Sequence, residues 1–290
     1  QRKTYTLRDI DRSISRIKRI GFLGPTGTYT AEASLKYDQT ADLMPFSTIS
    51  SIGQAVSSGL INQGVVPIEN SLEGSVTFTL DLLISQSGLF ISDEIVLPIQ
   101  HYLLGLPGIH FPDIQVIYSH PQALAQCQTF LDQCFPQATR TASLSTIAAV
   151  TDMRNSQIPA AAIAPKRAAE LHDVEIIGQD IQDNSNNVTR FVVLASQDHA
   201  RTGSDKTSIC FSFSQDSPGV LYDVLGEFAD RNINLAKIES RPTKELLGQY
   251  IFLVDCEGHR EEPLVNKALS LISERASMFK ILGSYPRWHS

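Results

Sequence analysis

The chain has 290 residues, 42% of them hydrophobic and 19% charged, with a formal net charge of −7 and a mean hydropathy of −0.06. That length buries a good core in one large or two medium domains. The acidic balance gives no support to nucleic-acid binding, and no run reaches the roughly 18 apolar residues of a membrane span. No segment has the charged-then-apolar pattern of a signal peptide.

The elements follow in chain order. Residues 1–19 form a basic N-terminal extension, with Arg2, Lys3, Arg8, Arg12, Arg16, Lys18 and Arg19 against Asp9 and Asp11. A solvated helix or linker is expected there; at this length it is too short to build a site of its own. "IGFLG" (20–24) is a short apolar strand. "PTGTYTAEASLKY" turns on Pro25 and Gly27 into a helix capped by Thr28 or Thr30. "TISSIGQAVSSG" (48–59) is a helix closed by Gly59, and "QGVVPIENS" (63–71) a buried strand expected to end at Pro67. "TFTLDLLISQS" (77–87) reads as helix and "LFISDEIVLPIQHYLLGL" (89–106) as one or two strands. "IQVIYSHPQALAQCQTFLDQCF" (114–135) is strand, polar turn and helix, with Pro121 at the helix start. Alternation continues to "NNVTRFVVLA" (186–195), whose apolar run suits a strand covered on both faces. An α/β sheet core is therefore predicted over 20–196.

Residues 197–205 read as a linker. Beyond it, 206–286 give the order βαββαβ, a ferredoxin-like unit, with Ser217-Pro218 opening its first helix. The four cysteines, Cys127, Cys134, Cys210 and Cys256, show neither CxxC nor zinc spacing, which predicts buried thiols in a reducing compartment and no metal site.

Four loops after strands concentrate polar groups: "GPTGTYT" (24–30), "PIENSLEG" (67–74), "YSHPQALAQ" (118–126) and "NNVTRF" (186–191). Each has a plain reading. The first is a turn and cap, Asn70 and Glu73 are turn formers, His120 is a turn histidine, and Thr189 is a strand-edge threonine. Arg190 is either a solvated edge residue or reaches an anion at the strand entrance. The first loop lacks the lysine of a Walker loop and the spacing of a dinucleotide fingerprint. Together the loops describe a cleft of neutral donors plus one guanidinium, suited to a small carboxylate. Composition and spacing stop there; they name no reaction.

"GFLGPTGTYTAEA", "VVPIENSLEG", "VIYSHPQALAQC", "VTRFVVLA" and "INLAKIESRP" resemble prephenate dehydratase with a C-terminal ACT regulatory domain, from about Ile20 to Pro286. The resemblance implies a two-lobed catalytic domain like type II periplasmic binding proteins, with the active site between the lobes and a ferredoxin-like ACT domain behind it. It implies conversion of prephenate to phenylpyruvate with loss of carbon dioxide and water, without a cofactor. By this resemblance Thr189 is the essential catalytic residue, Arg190 binds the substrate carboxylate, and Asn70, Ser119 and Gln126 line the site. Phe191, Thr28 and Ser71 complete the substrate contacts. The implied roles are a hydrogen bond from Thr189 to the leaving hydroxyl, an Arg190 clamp on the retained carboxylate, and Asn70 and Ser119 placing the ring.

L-Phenylalanine is the implied effector, bound at a dimer interface by Pro218, Gly219, Val220, Leu221, Asn234, Leu235, Glu239, Ser240 and Arg241. Gly219-Val220-Leu221 departs from the usual Gly-Ala-Leu, and the larger valine trims that pocket. A homodimer or homotetramer in the cytoplasm is expected, or in the plastid stroma if a transit peptide precedes Gln1. Arogenate dehydratase is the nearest alternative; a small-anion solute-binding sensor is another, of a different class.

Overall fold

A computed structural model describes residues 17–214, 217–243 and 249–288 of the chain. Most of the basic extension (1–16) and Asp216 of the turn before Ser217 lie outside the described residues.

β1 (Arg19–Leu23) leads into α1 (Tyr29–Tyr37), β2 (Asp42–Phe46) into α2 (Ile49–Ser57), and β3 (Gln63–Asn70) through the short β4 (Gly74–Ser75) into α3 (Thr77–Ser85). β5 (Phe90–Pro98) then carries the chain to a second lobe. That lobe holds β6 (Tyr102–Gly105), β7 (Val116–Ser119), α4 (Pro121–Gln126), α5 (Gln128–Cys134), β8 (Thr139–Ala142), α6 (Thr146–Arg154), β9 (Ala160–Ala164), α7 (Lys166–His172) and β10 (Glu175–Gly178). β11 (Val188–Ala195) returns to the first sheet, whose order is β2-β1-β3-β11-β5 with β4 on β3; the second sheet runs β10-β6-β9-β7-β8. In each sheet the strands of the strand–helix units run parallel and those entering from the other lobe pair antiparallel. The chain thus crosses between lobes twice, after β5 and before β11.

Local chemistry explains the helix starts. Thr28, not Thr30, caps α1, its side chain accepting from Ala31 N; Thr48 and Ser145 cap α2 and α6 in the same way. Pro67 does not end its strand, as the sequence suggested: β3 continues to Asn70. β1 pairs with β3 only as far as Val65, so on that side Pro67 faces no ladder that needs its missing N–H. On the other side the register with β11 shifts between Arg190 and Phe191, opposite Pro67.

The C-terminal unit comprises β12 (Asp205–Ser212), α8 (Val220–Ala229), β13 (Leu235–Pro242), β14 (Tyr250–Glu257), α9 (Pro263–Arg275) and β15 (Met278–Pro286), in the antiparallel order β13-β14-β12-β15. One face of this sheet, with Ile209, Phe211 and Val254, is covered by the two helices through Val224, Phe228, Val265 and Ile272. The other face packs Cys210, Leu253, Leu282 and Tyr285 into a core shared with Ile91, Val192 and Leu194 of the first lobe. At Gly283, φ is +150°, and an added Cβ would stand 2.1 Å from the Ile91 carbonyl oxygen, so only glycine lets β15 approach β5 this closely. Lys280 reinforces the contact: its ammonium lies 2.5 Å from Leu83 O and 2.7 Å from Gln86 O, at the carboxyl end of α3 where a cation is favoured.

Candidate active site

β11 positions the site because alternate residues of a strand point to opposite faces. Thr189 and Phe191 project into a cavity of about 490 Å³ between the lobes. The first lobe lines it with Thr28, Tyr29, Ser47 and Asn70, the second with His120, Gln122, Gln126 and Ser145. A volume of this order suits one small organic molecule. Among the described residues its lining contains no lysine or arginine. Positive potential comes instead from the amino ends of α1 and α6, both of which open on the cavity through Thr28 to Thr30 and Ser145 to Thr146.

Asn70 orients the Thr189 edge of the cavity. Its Oδ1 accepts from Leu72 N and Glu73 N, each at 3.0 Å, so it is a turn former as its sequence context suggested. That fixes the amide, and Nδ2 is left facing β11, where it donates to Thr189 Oγ1 at 2.8 Å and Asn187 Oδ1 at 2.7 Å. Thr189 is 8% exposed, and its hydroxyl accepts from Asn70 while donating to no other described residue. Its proton is therefore available to a ligand in the cavity.

The network continues across the cleft. Gln126 Oε1 accepts from Asn187 Nδ2 at 3.1 Å and from His101 Nε2 at 2.9 Å, while Gln126 Nε2 donates to Glu73 Oε1 at 3.2 Å. The Glu73 carboxylate sets the Gln126 amide, so His101 carries its proton on Nε2. Its Nδ1 faces the Tyr29 hydroxyl, which itself donates to Gln100 O. Burial holds the His101 imidazole below the ordinary histidine range, the bond to Gln126 opposing this only in part, and burial pushes Tyr29 up, with Glu32 adding to it.

Where the folded pKa lies below the unfolded value, the unfolded chain takes up the proton first, and stability is lost as pH falls below about 6.5. Between about pH 6.5 and 5 the melting temperature of the native chain should fall more steeply than that of His101→Gln; parallel slopes in differential scanning calorimetry would contradict a buried neutral imidazole.

Of the residues singled out in the sequence, Thr189, Asn70, Gln126, Phe191 and Thr28 meet at this cavity, and so does His120, whose Nδ1 caps α4 at Gln122 N. Three do not. Ser119 is fully buried and spends its hydroxyl on Ile163 O at 2.7 Å, inside the second sheet. Ser71 accepts from Val188 N at 3.0 Å and donates to Asn186 O, holding the loop to the start of β11 rather than lining the cavity.

Arg190 is the larger correction. Following Thr189 on the strand, it points to the opposite face, where its guanidinium contacts Asp255 Oδ2 at 2.8 Å, Glu69 Oε2 at 3.2 Å and Glu94 Oε2 at 3.3 Å. Burial alone would lower its pKa, but Asp255, Tyr285, Glu94 and Glu69 hold it well above the usual arginine value. A guanidinium committed in this way is no clamp for a ligand in the cavity. His101, Tyr29 and Asn187 were missed, although a histidine between Pro98 and an apolar strand was a usable signal.

In the C-terminal unit, Pro218, Gly219, Val220 and Leu221 form the amino end of α8, Gly219 standing at its cap with φ +95°. Asn234 and Leu235 enter β13, Asn234 donating to Glu257 Oε1 at 3.1 Å. Glu239 and Arg241 turn toward the first lobe: Glu239 accepts from Ser75 Oγ at 2.5 Å, and Arg241 donates to Thr77 O at 3.0 Å and pairs with Asp81 at 3.1 Å. Ser240, between them, is exposed on the other face.

Residues 20–199 match the family model described as prephenate dehydratase, and residues 208–270 match the ACT domain. A bifunctional chorismate mutase/prephenate dehydratase of Aquifex aeolicus is 39% identical over 276 residues, covering 95% of this chain and 75% of the relative. An Arabidopsis thaliana protein named arogenate dehydratase/prephenate dehydratase 1, chloroplastic, is 39% identical over 284 residues, covering 92% of this chain and 72% of its own length. Among solved structures, prephenate dehydratase from Arthrobacter aurescens in complex with L-Phe superposes with a TM-score of 0.86 at 35% identity, covering 93% of this chain and 90% of that one.

Proposed function

Since the chain belongs to the prephenate dehydratase family and carries an ACT domain in its C-terminal part, we propose that the cavity between its lobes converts prephenate to phenylpyruvate, with Thr189 assisting the departing hydroxyl. The observation that carries this reading is the Thr189 hydroxyl itself: Asn70 occupies its acceptor side at 2.8 Å, so its proton is aimed at the ligand.

Prephenate carries a ring carboxylate to be lost, a pyruvyl carboxylate to be kept, and a hydroxyl opposite the first. The electron pair of the breaking carbon–carboxylate bond enters the ring, which becomes aromatic as it expels the hydroxyl oxygen. A hydrogen bond from Thr189 stabilises the charge growing on that oxygen. The absence of a cation from the described lining supports the same chemistry, because a paired carboxylate would resist decarboxylation. The retained carboxylate lies at the amino ends of α1 and α6, and Gln126, Thr28 and Phe191 position the ring.

The second part of the reading is feedback. L-Phenylalanine binds the ACT unit at the amino end of α8 and the start of β13, and Glu239 and Arg241 relay its presence to β4 and α3, which they already touch. β13 is an edge strand with Ile238 half exposed, suited to pairing with a second copy in a homodimer or homotetramer. Three of the free cysteines are buried as expected and Cys134 is exposed; free thiols suit a reducing compartment, the cytoplasm or the plastid stroma.

The test is to incubate the purified chain separately with prephenate and with arogenate, following phenylpyruvate and phenylalanine, and to repeat each with added L-phenylalanine. Turnover of prephenate, lowered by phenylalanine, is expected. Preference for arogenate would assign the substrate whose ketone is replaced by an amine; tight binding of either without turnover would leave a small-anion sensor.

A further inference from the structure

The ionic cluster behind β11 has no part in the chemistry above, yet it joins the two residues that set the reacting hydroxyl to the ACT sheet. Arg190 follows Thr189, and Glu69 precedes Asn70. Arg190 meets Asp255 of β14 at 2.8 Å, and Glu69 meets Lys237 of β13 at 3.3 Å. Both partners belong to the ACT unit.

Each anchor is held in turn. Asp255 accepts from Ser208 Oγ at 2.6 Å, and Ser208 from the buried Tyr285 hydroxyl at 2.6 Å. Glu94, beside Arg190, takes Lys206 Nζ at 2.8 and 2.9 Å and Trp288 N at 3.0 Å. Lys237 also pairs with Glu239 at 3.2 Å and donates to Ser75 Oγ at 2.6 Å, on the strand that follows the Asn70 turn. These groups are mostly buried, where an ion pair in one fixed geometry holds backbone more firmly than a solvated pair does.

We infer that Asp255 and Lys237 are positioning residues for the elimination: through Arg190 and Glu69 the ACT sheet helps to hold Thr189 and Asn70 in register. This rests on the reading of Thr189 as the hydrogen-bond donor. A misplacement of about 1 Å at a reacting group costs up to ~10²-fold in rate, so the effect falls on kcat with KM nearly unchanged.

The test is a double-mutant cycle in the full chain, with Asp255→Asn and Thr189→Val alone and together, and prephenate turnover expressed per folded molecule by circular dichroism. Asp255→Asn is expected to lower kcat about ten- to hundredfold, with Asp255→Glu recovering part of the loss. In the Thr189→Val background the same change should cost little more, because the group it positions is gone. Normal kcat in folded Asp255→Asn, or the same fold-loss in both backgrounds, would overturn the inference while leaving the Thr189 reading intact. Full activity of Thr189→Val would instead sink that reading. If Asp255→Asn does not fold, Lys237→Gln tests the second arm, with the same kcat-selective loss expected and an unchanged kcat overturning it.

Discussion

Thr189→Val should lower kcat for prephenate by about 10²–10³, the usual loss for one transition-state hydrogen-bond donor, while KM stays within a few-fold. Valine keeps the β-branch that suits a strand, and Asn70 Nδ2 still has the Asn187 and Val188 oxygens to bond. What is lost is the ligand-facing donor, together with one of the three acceptors of Asn70 Nδ2. Thr189→Ser should retain much of the rate, because the hydroxyl returns on a slightly freer side chain. Steady-state kinetics of the two variants separate a chemical role from a packing role: equal losses would point to packing, and near-native turnover of the valine variant would remove Thr189 from the chemistry.

The second large effect is on stability. Arg190→Leu leaves Asp255 and Glu94 buried with fewer counter-charges, Glu94 retaining Lys206 and Asp255 retaining Ser208. Removing one partner of a buried ion pair costs about 3–5 kcal/mol, a large share of the ~5–15 kcal/mol that holds a domain folded. Urea unfolding should show a correspondingly lower midpoint. The folded fraction should bind prephenate with nearly the native KM, although its kcat falls with the loss of register. A residue that clamps the substrate carboxylate would behave the other way, raising KM steeply with little change in the unfolding midpoint.

The contrast between Thr189 and Arg190 shows how far the sequence could be read. Strand–helix alternation, the βαββαβ order after the linker and the cap at Thr28 are local patterns, and local patterns survive in one dimension. Asn70 and Thr189 were legible through motifs, but their contact spans 119 residues and no spacing rule anticipates it. Arg190 was misplaced for a reason the sequence did contain: neighbours on a strand face opposite ways, so an adjacent Thr–Arg pair cannot both enter one cleft. Ser119 went wrong because a hydroxyl at the end of a strand has two possible partners, a ligand or a carbonyl of the next strand. Here Ile163 O takes it. His101 escaped notice because its meaning depends on Gln126 and Tyr29, 25 and 72 residues away.

The most direct test is a crystal structure of the chain with an unreactive prephenate analogue that keeps both carboxylates and the ring hydroxyl. Thr189 Oγ1 should lie within hydrogen-bond distance of that hydroxyl, with Arg190 still against Asp255 on the far side of β11. An analogue carboxylate seated on the Arg190 guanidinium, or a ring hydroxyl remote from Thr189, would contradict the account.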